Sequence, residues 1–273
     1  MSEASRERSG TGRPVFAFLA AIPIALLGGL IGLGGAEFRL PVLAGPLRYA
    51  AKQAVPLNLA ISLVTLGTSL VSRAGSIDVA ALSTLAPAIL AMIAGALVTA
   101  FLGPSLASRI SNASLERVIL VLLVVIGTAL IVESFLPTES GALVPAPLWP
   151  LVAFILGLAI GLVSSMLGVA GGELIIPSFV FAFGAPIKIA GTASLLVSLP
   201  TVSVGILRYW RRGAYADRTA LRDTLLPMGA GSIVGAVLGG LLLGIVPASL
   251  LKVGLGIILI VSAIRVFRHA RAA

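Results

Sequence analysis

Two glutamates stand in matching glycine-rich motifs of an otherwise apolar chain. The motifs read G-L-G-G-A-E-F-R-L-P over Gly32–Pro41 and G-V-A-G-G-E-L-I-I-P over Gly168–Pro177. Glu37 and Glu173 lie between long hydrophobic runs, where an ionisable side chain is costly and usually functional. Both are candidates for proton coupling or for lining a substrate path. The alternative is that each glutamate caps the free N–H groups of a short helix.

The small residues around each glutamate could bring backbone N–H groups close to a ligand, because glycine has no Cβ. Glycine clusters interrupt a helix, and Pro41 and Pro177 prevent a helix from extending backwards. We therefore predict a discontinuous helix at each motif. The start of a half-helix favours an anion. The predicted substrate-binding backbone comprises Gly34, Gly35, Ala36, Gly171 and Gly172. The alternative is that these small residues only let helices pack closely.

Three cationic side chains, one within the first motif and two after the motifs, are candidate substrate-binding residues. Arg39 comes two residues after Glu37, and Ile175 occupies its repeat position. It could pair with a glutamate, bind an anion or extend to the membrane surface. Lys52 and Lys188 precede the next helices, where a lysine often anchors the chain at the interface. An anion-attracting role is the second hypothesis for both lysines.

Polar side chains form a stripe on the helix that follows each motif. Their spacing of i, i+4 and i+7 places them on one face. The stripes are Asn58, Ser62 and Thr65, and Ser194, Ser198 and Thr201, with Thr192 just before the second. Such a face either bonds to a neighbouring helix or lines a polar path. Candidate substrate-binding residues are therefore Asn58, Ser62, Thr192, Ser194 and Ser198.

The elements that position these residues are membrane helices. The chain has 273 residues, of which 58% are hydrophobic and 11% are charged, whereas a soluble domain carries roughly a quarter charged residues. A lipid bilayer is therefore its expected partner, and the fold class is an all-α polytopic membrane protein. Runs with the roughly 20 apolar residues of a spanning helix lie at 15–35, 54–72, 82–104, 115–136, 148–170, 189–207, 225–245 and 248–267.

The chain consists of two homologous halves. A shift of 136 positions aligns Gly32–Thr65 with Gly168–Thr201, and the identities include the Glu, Pro and Lys positions that chance composition would not align together. The predicted organisation is a cytoplasmic N-terminal tail 1–14, a first transmembrane repeat 15–136, an external linker 137–147, a second transmembrane repeat 148–268 and a cytoplasmic C-terminal tail 269–273.

The distribution of charge predicts the orientation. The linker has no Lys or Arg and should lie outside, whereas the arginine-bearing termini and the loop 208–224 should lie in the cytoplasm. This arrangement needs an odd number of crossings in each half. We therefore predict five helices per half in an inverted arrangement, with 37–51 and 173–187 crossing as short or broken helices. Four helices per half with re-entrant segments is the alternative.

Several chemistries lack the residues that they need. The chain has no cysteine, and its one histidine, His269, lies near the C-terminus. We therefore expect no catalytic residues, no metal and no cofactor. A G-x-x-x-x-G-K-[ST] motif for ATP binding is absent. An intramembrane enzyme would have to use a Ser–Lys dyad built on Lys52 or Lys188. The net charge of +9 is explained by cytoplasmic arginines, so nucleic acid is not an expected partner.

The paired motifs ending in proline, and the K-x-A sequences at Lys52–Ala54 and Lys188–Ala190, resemble the sulfite exporter TauE/SafE family. The first motif departs from the usual triple glycine at Ala36. The resemblance implies a secondary transporter of sulfite, sulfoacetate or another organosulfonate in the bacterial cytoplasmic (inner) membrane. It implies export by alternating access at a site between the repeats. Transport of another small anion, or import, is the alternative, and homodimer formation is left open.

The predicted topology can be tested with Ser140→Cys in the linker. The chain has no other cysteine, so the introduced thiol is the only group in the chain that a thiol reagent labels. A membrane-impermeant thiol reagent should label it from outside, whereas Arg218→Cys in the basic loop should be labelled only from the cytoplasmic side. Labelling of Ser140→Cys from the cytoplasmic side alone would show that the inverted topology is wrong.

Overall fold

A computed structural model of the protein describes residues 3–76, 78–107, 124, 127–128, 131–132, 141–167 and 170–270. All regular structure within these residues is helical. The α-helices are α1 Glu3–Ile31, α2 Ala36–Ala44, α3 Ala51–Arg73, α4 Val79–Thr84, α5 Ala86–Ala107, α6 Trp149–Leu167, α7 Gly172–Pro177, α8 Ile187–Arg211, α9 Arg218–Ala220, α10 Leu226–Leu242 and α11 Ala248–Ala270. Turns of 3-10 helix lie at Ala74–Ser76 and Ala146–Leu148, and π-helical turns at Ser178–Ala182 and Leu221–Leu225.

The helices confirm the predicted class, an all-α polytopic membrane protein. Five segments of the described chain are long and apolar enough to cross a bilayer: Gly12–Ile31, Gln53–Arg73, Ala146–Ser164, Ile187–Arg211 and Arg218–Leu242. Shorter apolar helices are Ala86–Ala100, Gly172–Ala182 and Ala248–Val261. The predicted span 115–136 lies largely outside the described residues, as does most of the linker 137–147.

Two predicted boundaries differ from the observed helix ends. α1 begins at Glu3, inside the segment assigned to the N-terminal tail, and ends at Ile31 rather than at residue 35. The predicted run 82–104 is divided between α4 and α5, which are separated at Leu85. Asp78 accounts for the early start of α4, because its carboxylate accepts a hydrogen bond of 3.0 Å from the amide of Ala81.

The sequence repeat is also a repeat of backbone geometry. Gly35 and Gly171 precede α2 and α7 in the left-handed conformation, with φ of 68° and 78°. The first helical hydrogen bonds are equivalent, since the amide of Arg39 donates to Gly35 at 3.2 Å and that of Ile175 to Gly171 at 3.1 Å. The homologous motifs therefore fold alike locally, whatever their side chains.

The turn that follows each short helix repeats as well. Arg48 and Gly184 occupy matching positions, and both have positive φ, 54° and 66°. The equivalent hydrogen bonds run from the Tyr49 amide to the Leu43 carbonyl and from the Ala185 amide to the Phe179 carbonyl, both 2.9 Å long. The left-handed conformation of Arg48, which is unfavourable for a residue with a Cβ, is thus imposed by the turn that both halves share.

A π-helical turn marks a one-residue insertion in the second half. Asp78 and Asp217 are equivalent helix caps 139 positions apart, whereas the repeated Pro87 and Pro227 are 140 positions apart. The additional residue falls between Asp217 and Pro227, where Leu221–Leu225 forms the π-helical turn. A π turn accommodates one extra residue without ending the helix, so α10 keeps the position of its counterpart.

The chain forms two compact units. Unit 1 comprises Met1–Ser76, Leu167–Ala170 and Ser198–Gly244, and unit 2 comprises Ile77–Met166, Gly171–Val197 and Ile245–Ala273. Unit 1 thus combines α1–α3 of the first half with α10 of the second. Unit 2 combines α6 and α7 of the second half with α5 of the first. The compact units and the sequence halves do not coincide.

In unit 1, α1 packs directly against a row of glycines on α10. A Cβ atom at these glycines would collide with carbonyl oxygens of α1; the pairs are Gly231 with Phe18, Gly235 with Ile22, and Gly239 with Leu26. Both series ascend together, so the two helices run in the same direction. Small residues that let backbones touch are the usual means by which membrane helices associate.

Unit 2 contains the equivalent contact between α5 and α6. Here the colliding pairs are Gly95 with the carbonyl of Phe154, Gly157 with that of Met92, and Gly161 with that of Ala96. These two helices also run in the same direction. In each unit, therefore, the first long helix of one half packs through glycines against a later helix of the other half.

Residues 36–50 carry the chain back along the length of α1. At the N-terminal end of α1, Arg13 donates to the carbonyl of Leu47 at 2.9 Å, and its guanidinium lies 4.7 Å from the centre of the Tyr49 ring. α3 then follows the direction of α1, and at its far end Arg73 donates to the carbonyl of Gly29. Whether this segment crosses the membrane or is re-entrant stays a prediction.

Residues 172–182 take the same path along α6. Near the start of α6, Trp149 packs edge-on against Phe183 with the ring centres 5.7 Å apart, and the amide of Leu143 donates to the carbonyl of Phe181 at 3.1 Å. Each half therefore contains a short helical segment between two long helices that run in one direction. The inverted relation of the halves and the side on which each terminus lies stay predictions.

The glycine contact between α1 and α10 predicts the effect of adding one methyl group. Gly235→Ala places a Cβ against the carbonyl of Ile22 and should destabilise the protein by about 1–3 kcal/mol, the usual cost of overpacking. Gly229→Ala is the matched control, because a Cβ at this position of α10 meets no heavy atom within 4 Å. Thermal unfolding in detergent compares the variants, and equal melting temperatures would contradict the proposed contact.

Candidate functional site

The first motif contains the predicted break, and the glycines form it. Between α1 and α2, Gly32 and Gly35 have φ of 100° and 68°, and the amides of Gly32 and Leu33 both donate to the carbonyl of Gly28 at 2.9 Å. Pro41 does not mark the break, because it lies inside α2. Its fixed φ suits a helix, and it removes only one backbone donor. Pro177 ends α7, but the chain continues as a π turn.

The small residues of the first motif are in close contact with protein atoms. A Cβ at Gly35 would lie 2.9 Å from the side chain of Ile24, and a Cβ at Gly34 would lie 2.9 Å from that of Ala170. Ala36 is fully buried at the start of α2. Close packing therefore explains why these positions are small. Their predicted role in substrate binding is a separate hypothesis.

Arg39 is the centre of a buried polar cluster within unit 1. Its side chain is 0% exposed. Nη1 donates to Ser62 Oγ at 3.0 Å and to Asn58 Oδ1 at 3.3 Å, while Nη2 donates to Thr65 Oγ1 at 3.0 Å and to the carbonyl of Gly34 at 3.2 Å. The glycine motif and the polar stripe of α3 thus meet at one guanidinium group.

The acceptors around Arg39 carry no charge. They are hydroxyl, amide and carbonyl oxygens, and Nε has no hydrogen-bond partner among the described residues. A buried guanidinium is costly unless an opposite charge accompanies its hydrogen bonds. The groups that are hydrogen-bonded to Arg39 therefore supply no opposite charge and leave one N–H group available, two properties that suit an anion.

Glu37 is the acidic residue closest to Arg39 in the sequence, and it lies in the first turn of α2. Both of its carboxylate oxygens are buried and lack a hydrogen-bond partner among the described residues. Capping and proton coupling both stay predictions for Glu37. Residues two positions apart on a helix face different directions, which accounts for the lack of a hydrogen bond between Glu37 and Arg39. Glu173 differs, because it is half-buried and has an interaction partner.

In the second half, the matching backbone carbonyl accepts a hydrogen bond from an uncharged side chain. The carbonyl of Ala170, which matches Gly34, accepts a hydrogen bond of 3.0 Å from Ser198 Oγ. In the first half, the matching Ser62 instead accepts from Arg39, and Arg39 donates to Gly34. The guanidinium is thus inserted between a serine and a carbonyl that contact each other directly in the homologous half.

The remaining candidates of the second half lie on α7 and α8. Ile175, which replaces Arg39, is buried, and so are Gly171 and Gly172. Thr192 Oγ1 donates to the carbonyl of Lys188 at 3.1 Å. Ser194 is fully buried, and its hydroxyl has no hydrogen-bond partner among the described residues. Their predicted role in binding substrate is not decided by these contacts.

The two repeated lysines begin the helices that follow the motifs. Lys52 lies in the first turn of α3, and its side chain is outside the described part of the structure. Lys188 is half-buried in the first turn of α8. The anion-attracting role of both lysines stays a prediction. Among the described residues, no three His, Cys, Asp or Glu side chains lie close enough together to hold a metal ion.

A second buried arginine was not anticipated from the sequence. Arg73 is 0% exposed and donates to the carbonyl of Gly29 from Nε at 3.0 Å and from Nη2 at 2.7 Å. The sequence offered one signal, since Arg73 directly follows an apolar run and is the sole cation between residues 54 and 81. Its bond lies near the end of α1, next to the break.

Two tyrosine hydrogen bonds connect the basic loop, residues 208–224, with α3 and with the turn after α2. The hydroxyl of Tyr215 donates to the carbonyl of Pro56 at 2.9 Å, and burial, with a contribution from Tyr209, raises the pKa of Tyr215 to about 12. Tyr49 and Thr224 are joined by a hydrogen bond of 2.8 Å. The exposed arginines of the loop therefore share one end of unit 1 with the turn after α2. This grouping agrees with the predicted cytoplasmic loop.

Comparison with known proteins identifies the family. The sequence model of the family described as sulfite exporter TauE/SafE matches residues 2–130 and 153–273. The chain belongs to the sulfite exporter TauE/SafE family. The match covers both halves and omits the region around the linker. No curated protein and no solved structure matches the chain. The TauE/SafE chain is thus a multi-pass membrane protein of a transporter family, as the resemblance implied.

The polar cluster predicts different costs for two serine deletions. Ser62→Ala removes an acceptor from Arg39 and should cost about 1.5–3 kcal/mol, the value for a hydrogen bond to a charged group. Ser194→Ala is the matched control, since this equally buried serine loses no hydrogen bond with the described residues. The measurement is thermal unfolding of both variants in the same detergent. Similar losses would show that the bond to Arg39 contributes nothing specific.

Proposed function

We propose that this TauE/SafE protein is a secondary transporter that moves a small sulfur-containing anion across the bacterial cytoplasmic membrane. The proposed substrates are sulfite, sulfoacetate or another organosulfonate, and the proposed direction is export by alternating access. The family match supports transport of this class of anion. The alternative is another small organic or inorganic anion, which the protein could also import.

The buried charge of Arg39 is the observation that supports an anionic substrate. Ser198 satisfies the carbonyl of Ala170 without any charge, so the fold of this motif does not require a guanidinium. Arg39 nevertheless adds one at the equivalent carbonyl of Gly34, at a cost in desolvation. An oxyanion beside Arg39 would offset that cost and would accept the unused Nε–H group.

The membrane potential favours the proposed direction. A cytoplasm that is negative inside drives an anion outwards by about 2.3 kcal/mol per charge for each 100 mV. Export therefore needs no ATP-binding motif, in agreement with the sequence. Lys52 and Lys188 are proposed to attract the anion before it reaches the site. Glu37 and Glu173 are the two candidate carboxylates for coupling transport to protons.

Flux into proteoliposomes tests the substrate and the role of Arg39 together. The panel comprises sulfite, sulfate, methanesulfonate, sulfoacetate and acetate, with a cation and a neutral solute for comparison. Arg39→Gln should lower the flux of the transported anion about tenfold or more, because a charge-assisted bond contributes about 1.5–3 kcal/mol. Arg39→Lys should retain part of the flux. Arg211→Gln, in the exposed loop, is the control and should transport normally.

Two outcomes would contradict the proposal. A protein that moves the cation or the neutral solute and ignores every anion is not an anion transporter. Wild-type flux by a folded Arg39→Gln variant would show that this guanidinium is not part of the transport site. Thermal unfolding of each purified variant separates loss of transport from loss of structure.

A further inference from the structure

We propose that Glu37, and not Glu173, is the proton carrier, and that it exchanges with the substrate as the counter-ion of Arg39. The inference rests on the proposed anion transport and adds the coupling ion and its residue. The sequence places both glutamates in equivalent positions and does not distinguish them. The surroundings of the two carboxylates distinguish them.

The first step is the geometry of Glu37 and Arg39. Both carboxylate oxygens of Glu37 and Nε of Arg39 are buried and without hydrogen-bond partners among the described residues. They belong to one short helix and are two residues apart. The two charged groups interact through space, although they form no hydrogen bond. The Glu37 carboxylate can therefore act as the counter-ion while Asn58, Ser62 and Thr65 stay bound to the guanidinium group.

The second step is that the charge of the Arg39 cluster stays compensated, because the site is shielded from water. When an anion lies beside Arg39, Glu37 holds a proton and the cluster is neutral. When the anion leaves, the carboxylate of Glu37 releases its proton and becomes the counter-ion of Arg39, so the cluster is again neutral. Both arrangements avoid an uncompensated buried charge. Each monovalent anion is thus accompanied by one proton in the same direction. Coupled transport carries no net charge, so its direction follows the gradients of the anion and the proton, and the drive of the membrane potential applies only to an anion that crosses without a proton.

The other acidic residues of the elements packed around α2 lie towards its far end. Glu3 and Glu7 precede Arg13 in α1, and Asp223 lies in the π-helical turn whose Thr224 is hydrogen-bonded to Tyr49. α2 packs against α1 and α3. Arg13 of α1 is bound to the carbonyl of Leu47, beyond the far end of α2, and Arg73 of α3 is bound to that of Gly29. Lys52 starts α3, and this end of α3 lies beside the end of α2 opposite to Glu37. Glu37 is therefore the carboxylate placed next to the Arg39 cluster.

The third step is the contrast with the second half. Ile175 stands in place of Arg39, so Glu173 has no guanidinium two residues further along α7. Glu173 also has an interaction partner. Exchange of a counter-ion requires a fixed cation, and only the first motif supplies one. Glu173→Gln is therefore the matched control for Glu37→Gln.

The experiment measures proton coupling in proteoliposomes with radiolabelled methanesulfonate, a monovalent anion that does not itself take up a proton near neutral pH. An imposed pH gradient of about one unit should accumulate the anion about tenfold in the wild type. A potassium diffusion potential should have little effect. Glu37→Gln should lose the response to the pH gradient and gain a response to the potential. Glu37→Asp and Glu173→Gln should keep the proton-to-anion ratio of the wild type, whatever their rates.

Three results would overturn the inference. If the Glu37→Gln variant keeps the proton-to-anion ratio of the wild type, Glu37 is not the proton carrier. If the Glu173→Gln variant loses coupling instead, the proton carrier lies in the second motif. A wild-type protein that moves the anion without protons refutes coupling but leaves the proposed function intact. A wild-type protein that moves no anion of the panel refutes both. Thermal unfolding of each variant confirms that only folded protein is compared.

Discussion

Every backbone carbonyl that a broken helix leaves free inside a membrane must find a donor within the protein. The interruption between α1 and α2 creates this demand beside Gly29 and Gly34. Two buried arginines meet it, because Arg73 donates to Gly29 and Arg39 donates to Gly34. The cost of burying both guanidinium groups is the consequence of breaking the helix. The polar stripe of α3 then follows from that cost, since its side chains surround Arg39.

The second half shows that the same break can be satisfied more simply. A serine hydroxyl is sufficient for the carbonyl of Ala170, and no guanidinium is present at Ile175. The two halves therefore share a backbone and differ in electrostatics. Symmetry of the fold does not extend to the chemistry of the motifs. A binding site built from such halves would have unequal contributions from each, with the fixed positive charge on one side.

The sequence predicted the class of fold, the interruption at the first motif and the face on which the stripe residues lie, because periodicity and glycine content are local signals. It did not predict that Asn58, Ser62 and Thr65 bind Arg39. That contact depends on how α2 folds back along α1, which no local pattern encodes. Pro41 was assigned to the break, whereas it lies inside α2, so the position of the proline does not locate the helix end. The exchange of helices between the two sequence halves was likewise not predicted, because its glycine contacts join residues about 210 positions apart in unit 1 and about 60 positions apart in unit 2.

That exchange has a consequence for biogenesis. On the face of α1 that contacts α10, backbone carbonyl groups lie directly against the glycines of α10. α10 begins about 195 residues after the end of α1, so a nascent chain inserts α1 long before its partner exists. Until then this face of α1 is exposed to lipid or to the insertion machinery. Unit 1 is completed only when α10 has been synthesised, and a chain truncated after its first half would keep an open helix face in the membrane.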